Sequence, residues 1–106
     1  MYKIPTRSVL RLKDWQSIVT KWAVFKGFNW TKEDVDTMLI RLHSEVSEAS
    51  EAIRDKNFEE FAEELADIFI RLVNLCEVFD IDLEEEVIKK HNKNVGRPYL
   101  HGRKKR

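Results

Sequence analysis

Residues 58–79 read FEEFAEELADIFIRLVNLCEVF, and this stretch decides the fold. Phe58, Phe61, Ala62, Leu65, Ile68, Phe69, Leu72, Val73, Cys76 and Phe79 recur at helical spacing and form one broad apolar face, with Ile70 and Val78 on the other side. A helix apolar on both sides suits either a subunit interface or the central helix of a monomeric bundle. Asn57, followed by Glu60, predicts the cap at its start.

Outward from this segment the pattern stays helical. Toward the N-terminus, Val35, Met38, Leu39, Leu42, Val46, Ala49 and Ile53 mark a second long helix. Its start is signalled by Thr31 and Asp34, a pair that can satisfy backbone donors at a helix entrance. Before it, Leu12, Trp15, Ile18, Val19, Trp22 and Phe25 define a helix over about residues 11–26, which Gly27 can end. Trp15 and Trp22 fall on its apolar stripe and are expected in the core. Beyond residue 79, Asp82 can cap a fourth helix containing Leu83, Val87, Ile88 and His91, stopped by Gly96 and Pro98. With no useful strand alternation and short middle connections, the expected fold is all-α and four-helix-bundle-like. Residues 1–10 read as an arm, 11–96 as one helical domain and 97–106 as a basic tail.

Composition narrows the function classes. The 106 residues carry 19 Lys plus Arg and 19 Asp plus Glu, so no net field draws the chain to nucleic acid or an anionic membrane. Only the terminal run Arg103, Lys104, Lys105, Arg106 motivates an alternative, a non-enzymatic module binding nucleic acid or nucleotide through its tail. No stretch has the length needed to span a bilayer. A single cysteine, Cys76, in an apolar run reads as a buried thiol suited to the reducing cytoplasm. A domain this small gains by hiding apolar area between subunits, and a homodimer or homotetramer is expected.

Two acidic pairs carry the chemistry. Glu45 and Glu48 lie on the second helix and Glu64 and Asp67 on the third, each pair three residues apart. At about 100° per residue, such pairs point about 60° apart and can face one point. Glu45 sits at the margin of its helix's apolar stripe, whereas Glu51 turns away. Four carboxylates brought together need a cation or a proton. All-oxygen ligation suits Mg²⁺ or Mn²⁺, and Mg²⁺ commonly binds substrate phosphates beside a few carboxylates. The Glu-x-x-His pairs of di-iron bundles are absent.

The stretches SEVSEASEAI (44–53) and EELADIFIRLVNL (63–75) resemble the Glu-x-x-Glu and Glu-x-x-Asp signature of MazG-like all-α nucleoside triphosphate pyrophosphohydrolases. Lys90, Asn94 and Arg97 match a Lys-x-x-x-Asn-x-x-Arg pattern of the same family, and Trp30 stands where its members place a base-stacking Trp. Phe28 is a lesser candidate for that role. One departure is Ser44, where many members carry a further Glu. The resemblance implies that Glu45, Glu48, Glu64 and Asp67 bind Mg²⁺, or Mn²⁺, and form the catalytic centre. It implies hydrolysis of a nucleoside triphosphate between the α and β phosphates, with Glu45 or Glu48 accepting the proton of the attacking water. Trp30, Lys90, Asn94 and Arg97 would bind substrate, the last three clamping phosphates from one helix face. His43 reads as an ordinary polar residue, whereas the run from Arg97 to Gly102, with His101, resembles tails that could fold over a substrate.

Overall fold

The computed structural model describes residues 10–98. The expectations for the N-terminal arm, save Leu10, and for His101 and the terminal basic run lie outside the described residues. Four helices follow one another: α1 (Leu12–Phe25), α2 (Val35–Arg54), α3 (Phe58–Val78) and α4 (Leu83–Val95), with no strand among the described residues.

Local chemistry sets the boundaries. The Arg11 N–H donates to the Asp14 carboxylate at 2.9 Å, opening α1, and Gly27, at φ +95°, turns the chain after it. The Thr31 N–H donates to the Asp34 carboxylate at 2.9 Å. This pair closes a 3₁₀ turn over Lys32–Asp34 that leads into α2, so the expected cap lies one turn ahead of the α-helix proper. Asn57 Oδ1 accepts from the Glu60 N–H at 3.1 Å, and Asp82 Oδ1 accepts from the Glu85 N–H at 3.2 Å. Each ties up a donor that a helix start would otherwise leave unpaired.

Helix α3 is central: α2 packs along it on one side and α1 on another, while α4 rests chiefly on α1. Within the chain α3 thus takes a central position, while Ile70 on its other side stays exposed. Ala49 and Ala52 are buried, and such small side chains allow α2 to approach α3 closely. Val19, Met38, Val73 and Cys76 complete the buried apolar set, and Trp15 meets Phe69 edge to face at 6.5 Å. Helix α4 contributes no buried residue.

Gln16, only 2% exposed, fastens the connection between α3 and α4. Its amide donates to the Ile81 carbonyl at 2.8 Å and to Glu77 at 3.3 Å, and its oxygen accepts from the Leu83 N–H at 2.9 Å. This polar residue on the otherwise apolar inner face of α1 fixes where α4 begins. Trp22 departs from its expected core place: it is 40% exposed, stacks on Phe25 and lines an open cleft. The ring also carries a cation, with Lys26 Nζ 4.9 Å from its centroid.

Candidate metal centre and cleft

The acidic pairs meet across the α2–α3 seam. One carboxylate oxygen from each of Glu45, Glu48 and Glu64 lies within 4.8 Å of the others. Glu45 and Glu64 are buried and Glu48 is exposed. Helical spacing explains the grouping: three residues on α2 advance the chain by about 4.5 Å and keep Glu45 and Glu48 on the side facing α3, where Glu64 projects toward both. Asp67, half-buried, does not join this cluster and instead lines the adjoining cleft beside Glu45.

Crowding leaves an electrostatic signature. The Glu48 carboxyl is held above its ordinary value, chiefly by sharing a hydrogen bond with Glu45 and by the negative charge there. Glu64 is raised as well, first by loss of solvent and then by the charges of Glu48 and Glu45. A site that resists ionisation for these reasons gains from a cation, and the donor set is all oxygen. The residues therefore fit a hard divalent ion.

One guanidinium already meets the cluster: Arg71 Nε donates to Glu45 Oε2 at 2.8 Å. Arg71 was not among the residues singled out from sequence. The signal was present, since Glu64, Asp67, Arg71 and Asn74 lie at i, i+3, i+7 and i+10 and share one side of α3.

Beside the cluster a cleft of about 220 Å³ lies between the helices, with Glu45 and Asp67 the acids that line it. Helix α1 supplies Val19, Trp22, Ala23 and Lys26; α2 supplies Arg41 and Glu45; α3 supplies Asp67, Ile70, Arg71 and Asn74. Phe28 and Trp30 close the far end, stacked with ring centroids 5.9 Å apart and planes 14° from parallel. The Arg41 guanidinium lies 5.3 Å from the centre of the Trp30 ring. Thr20 donates its hydroxyl to Asn74 Oδ1 at 3.3 Å, which orients the buried Asn74 amide at the cleft wall. The cleft is thus acidic at one end, aromatic at the other, and cationic between.

Trp30 takes the expected place at the aromatic end. Lys90, Asn94 and Arg97 do not line this cleft; Lys90 and Asn94 are exposed on α4 and Arg97 is half-buried just beyond it. His43 is exposed and stands outside both cluster and cleft.

No curated protein and no solved structure matches the chain. A family model described as the MazG nucleotide pyrophosphohydrolase domain matches residues 33–101, a span holding both acidic pairs and the whole of α4. The chain belongs to the MazG nucleotide pyrophosphohydrolase family.

Proposed function

We propose that the protein hydrolyses ribo- or deoxynucleoside triphosphates between the α and β phosphates, giving nucleoside monophosphate and pyrophosphate and clearing the nucleotide pool of unwanted members. The observation that carries this reading is the convergence of Glu45, Glu48 and Glu64 within 4.8 Å, with Glu45 also lining a cleft that holds Phe28 and Trp30. Charged phosphates suit one end and a flat base the other.

Glu45, Glu48 and Glu64 would hold Mg²⁺ or Mn²⁺, with Asp67 completing the set from the cleft wall. When bound, the ion supplies charge neutralisation for the triphosphate and a more acidic attacking water. Glu45 or Glu48 would accept the water proton as the water oxygen bonds to phosphorus and the P–O bond to the departing pyrophosphate breaks. Trp30 would stack on the base. Lys90 and Asn94, presented from α4, and Arg97 just beyond it are proposed as phosphate contacts.

We further propose a homodimer or homotetramer. Leu39, Val46 and Ile53, seven residues apart along α2, are 46%, 47% and 40% exposed, and Val87 and Ile88 on α4 are likewise open. Such a stripe favours burial against a second copy. None of the described helices is long and apolar enough to cross a membrane, and a cytoplasmic location accords with a nucleotide substrate and a free thiol.

The test is product analysis with a panel of nucleoside triphosphates, with and without Mg²⁺, beside Glu64→Gln. Monophosphate plus pyrophosphate, lost without metal and in the variant, supports the reading. Diphosphate plus phosphate, or no turnover over the whole panel, overturns it.

A further inference from the structure

Arg71 occupies a position in the cleft that its pairing with Glu45 does not exhaust. Two antiparallel stripes face each other: Arg41, Glu45 and Glu48 on α2, and Asn74, Arg71 and Glu64 on α3. Stepping back three residues on α2, from Glu48 to Glu45, moves the partner forward seven on α3, from Glu64 to Arg71. At 1.5 Å per residue, Arg71 lies about 10 Å along α3 from Glu64. Asn74 and Trp30 lie beyond it, toward the aromatic end.

The guanidinium is held by one nitrogen only. Nε donates to Glu45, and among the described residues the two terminal nitrogens donate to no protein acceptor. The side chain is 35% exposed and lines the cleft. Five donors in a rigid fork suit phosphate oxygens. Anchoring one edge of that fork to a carboxylate fixes the direction of the rest.

We propose that Arg71 is a substrate-contact residue whose terminal nitrogens donate to the non-bridging oxygens of the α-phosphate. This rests on the proposed reaction, which orients the nucleotide with phosphates at the carboxylates and base at Phe28 and Trp30. The group between those ends is the α-phosphate with its sugar, and Arg71 stands between them. It keeps its protons throughout; its positive charge offsets the charge that gathers on the phosphate oxygens as the bond to pyrophosphate breaks. Arg41, by contrast, is committed to the face of Trp30.

The experiment compares the full-length wild type with Arg71→Met and Arg71→Lys. Three quantities are measured: Mn²⁺ binding without nucleotide, binding of a non-hydrolysable α,β-methylene nucleoside triphosphate, and binding of the corresponding nucleoside. Circular dichroism checks folding. The expected result is unchanged Mn²⁺ and nucleoside binding, with analogue affinity reduced by about 10-fold or more in Arg71→Met and partly recovered in Arg71→Lys. Tighter Mn²⁺ binding with unchanged analogue affinity would make Arg71 a counter-charge for Glu45 and overturn the proposal. Parallel loss of Mn²⁺ and analogue would reduce it to a support for Glu45 and overturn it equally. Failure of the proposed reaction shows itself separately: the wild type then binds the analogue but releases no pyrophosphate from the hydrolysable nucleotide, and the Arg71 comparison still decides the contact.

Discussion

Glu48 and Glu64 reach toward one another from different helices, their carboxylates within 4.8 Å with Glu45 beside both. Each is held above the ordinary glutamate value of 4.5. The folded chain therefore binds more protons than the unfolded chain just above that value, and linkage makes metal-free stability fall as pH rises through this window. Thermal melts of chelator-treated protein from pH 5 to 8 should show the decline, and Glu64→Gln should flatten it. A stability that rises over the same range in wild type relative to the variant would contradict the assignment.

Cation binding reverses that penalty. Mg²⁺ or Mn²⁺ at 100 times its dissociation constant should raise the unfolding free energy by about 2.7 kcal/mol. Denaturant titration of wild type and of Glu45→Gln checks this, the variant responding weakly or not at all.

At the aromatic end, Trp30→Ala should weaken nucleotide binding by about 10- to 100-fold, the usual worth of a base-aromatic stack. Helix content by circular dichroism should be unchanged, because Trp30 lies in the connection before α2. Equal affinity in the variant would move the base elsewhere in the cleft.

Gln16→Leu keeps the bulk of a buried residue but strands the Ile81 carbonyl and the Leu83 N–H. A loss of about 1–3 kcal/mol in unfolding free energy is expected. Urea denaturation measures it, with the α4 amides exchanging faster if the anchor acts as described.

Leu39→Glu and Ile53→Glu place charges on the exposed stripe of α2 without touching the carboxylate cluster. Sedimentation velocity should give a dimer or tetramer for the wild type and a monomer for the double variant. A wild-type monomer would remove the oligomer from the account.

What the sequence made legible was local. Thr31 with Asp34, Asn57 with Glu60, and Asp82 each announce a helix start because cap and donor sit three residues apart. Glu45 with Glu48, and Glu64 with Asp67, were readable for the same reason, each pair's spacing being a matter of angle on one helix. Gln16 gave no such signal, since its partners stand more than 60 residues away. Trp22 looked like core because periodicity marks a face but not how far the neighbouring helix extends over it. Asp67 stands outside the 4.8 Å grouping although its charge acts on Glu48 and Glu64, and Arg71 lies in an apolar run although its register matches the acids. Both depend on how α2 and α3 are staggered, which no single helix records.

Cys76, buried beside Val73, has its thiol pushed up by loss of solvent. It is therefore shielded from solvent and slow to form the reactive thiolate. Being the chain's sole cysteine, it makes the protein its own clock for opening. A thiol reagent can label it only when α3 is uncovered, and the labelling rate with and without a divalent ion would time how firmly the central helix stays clasped.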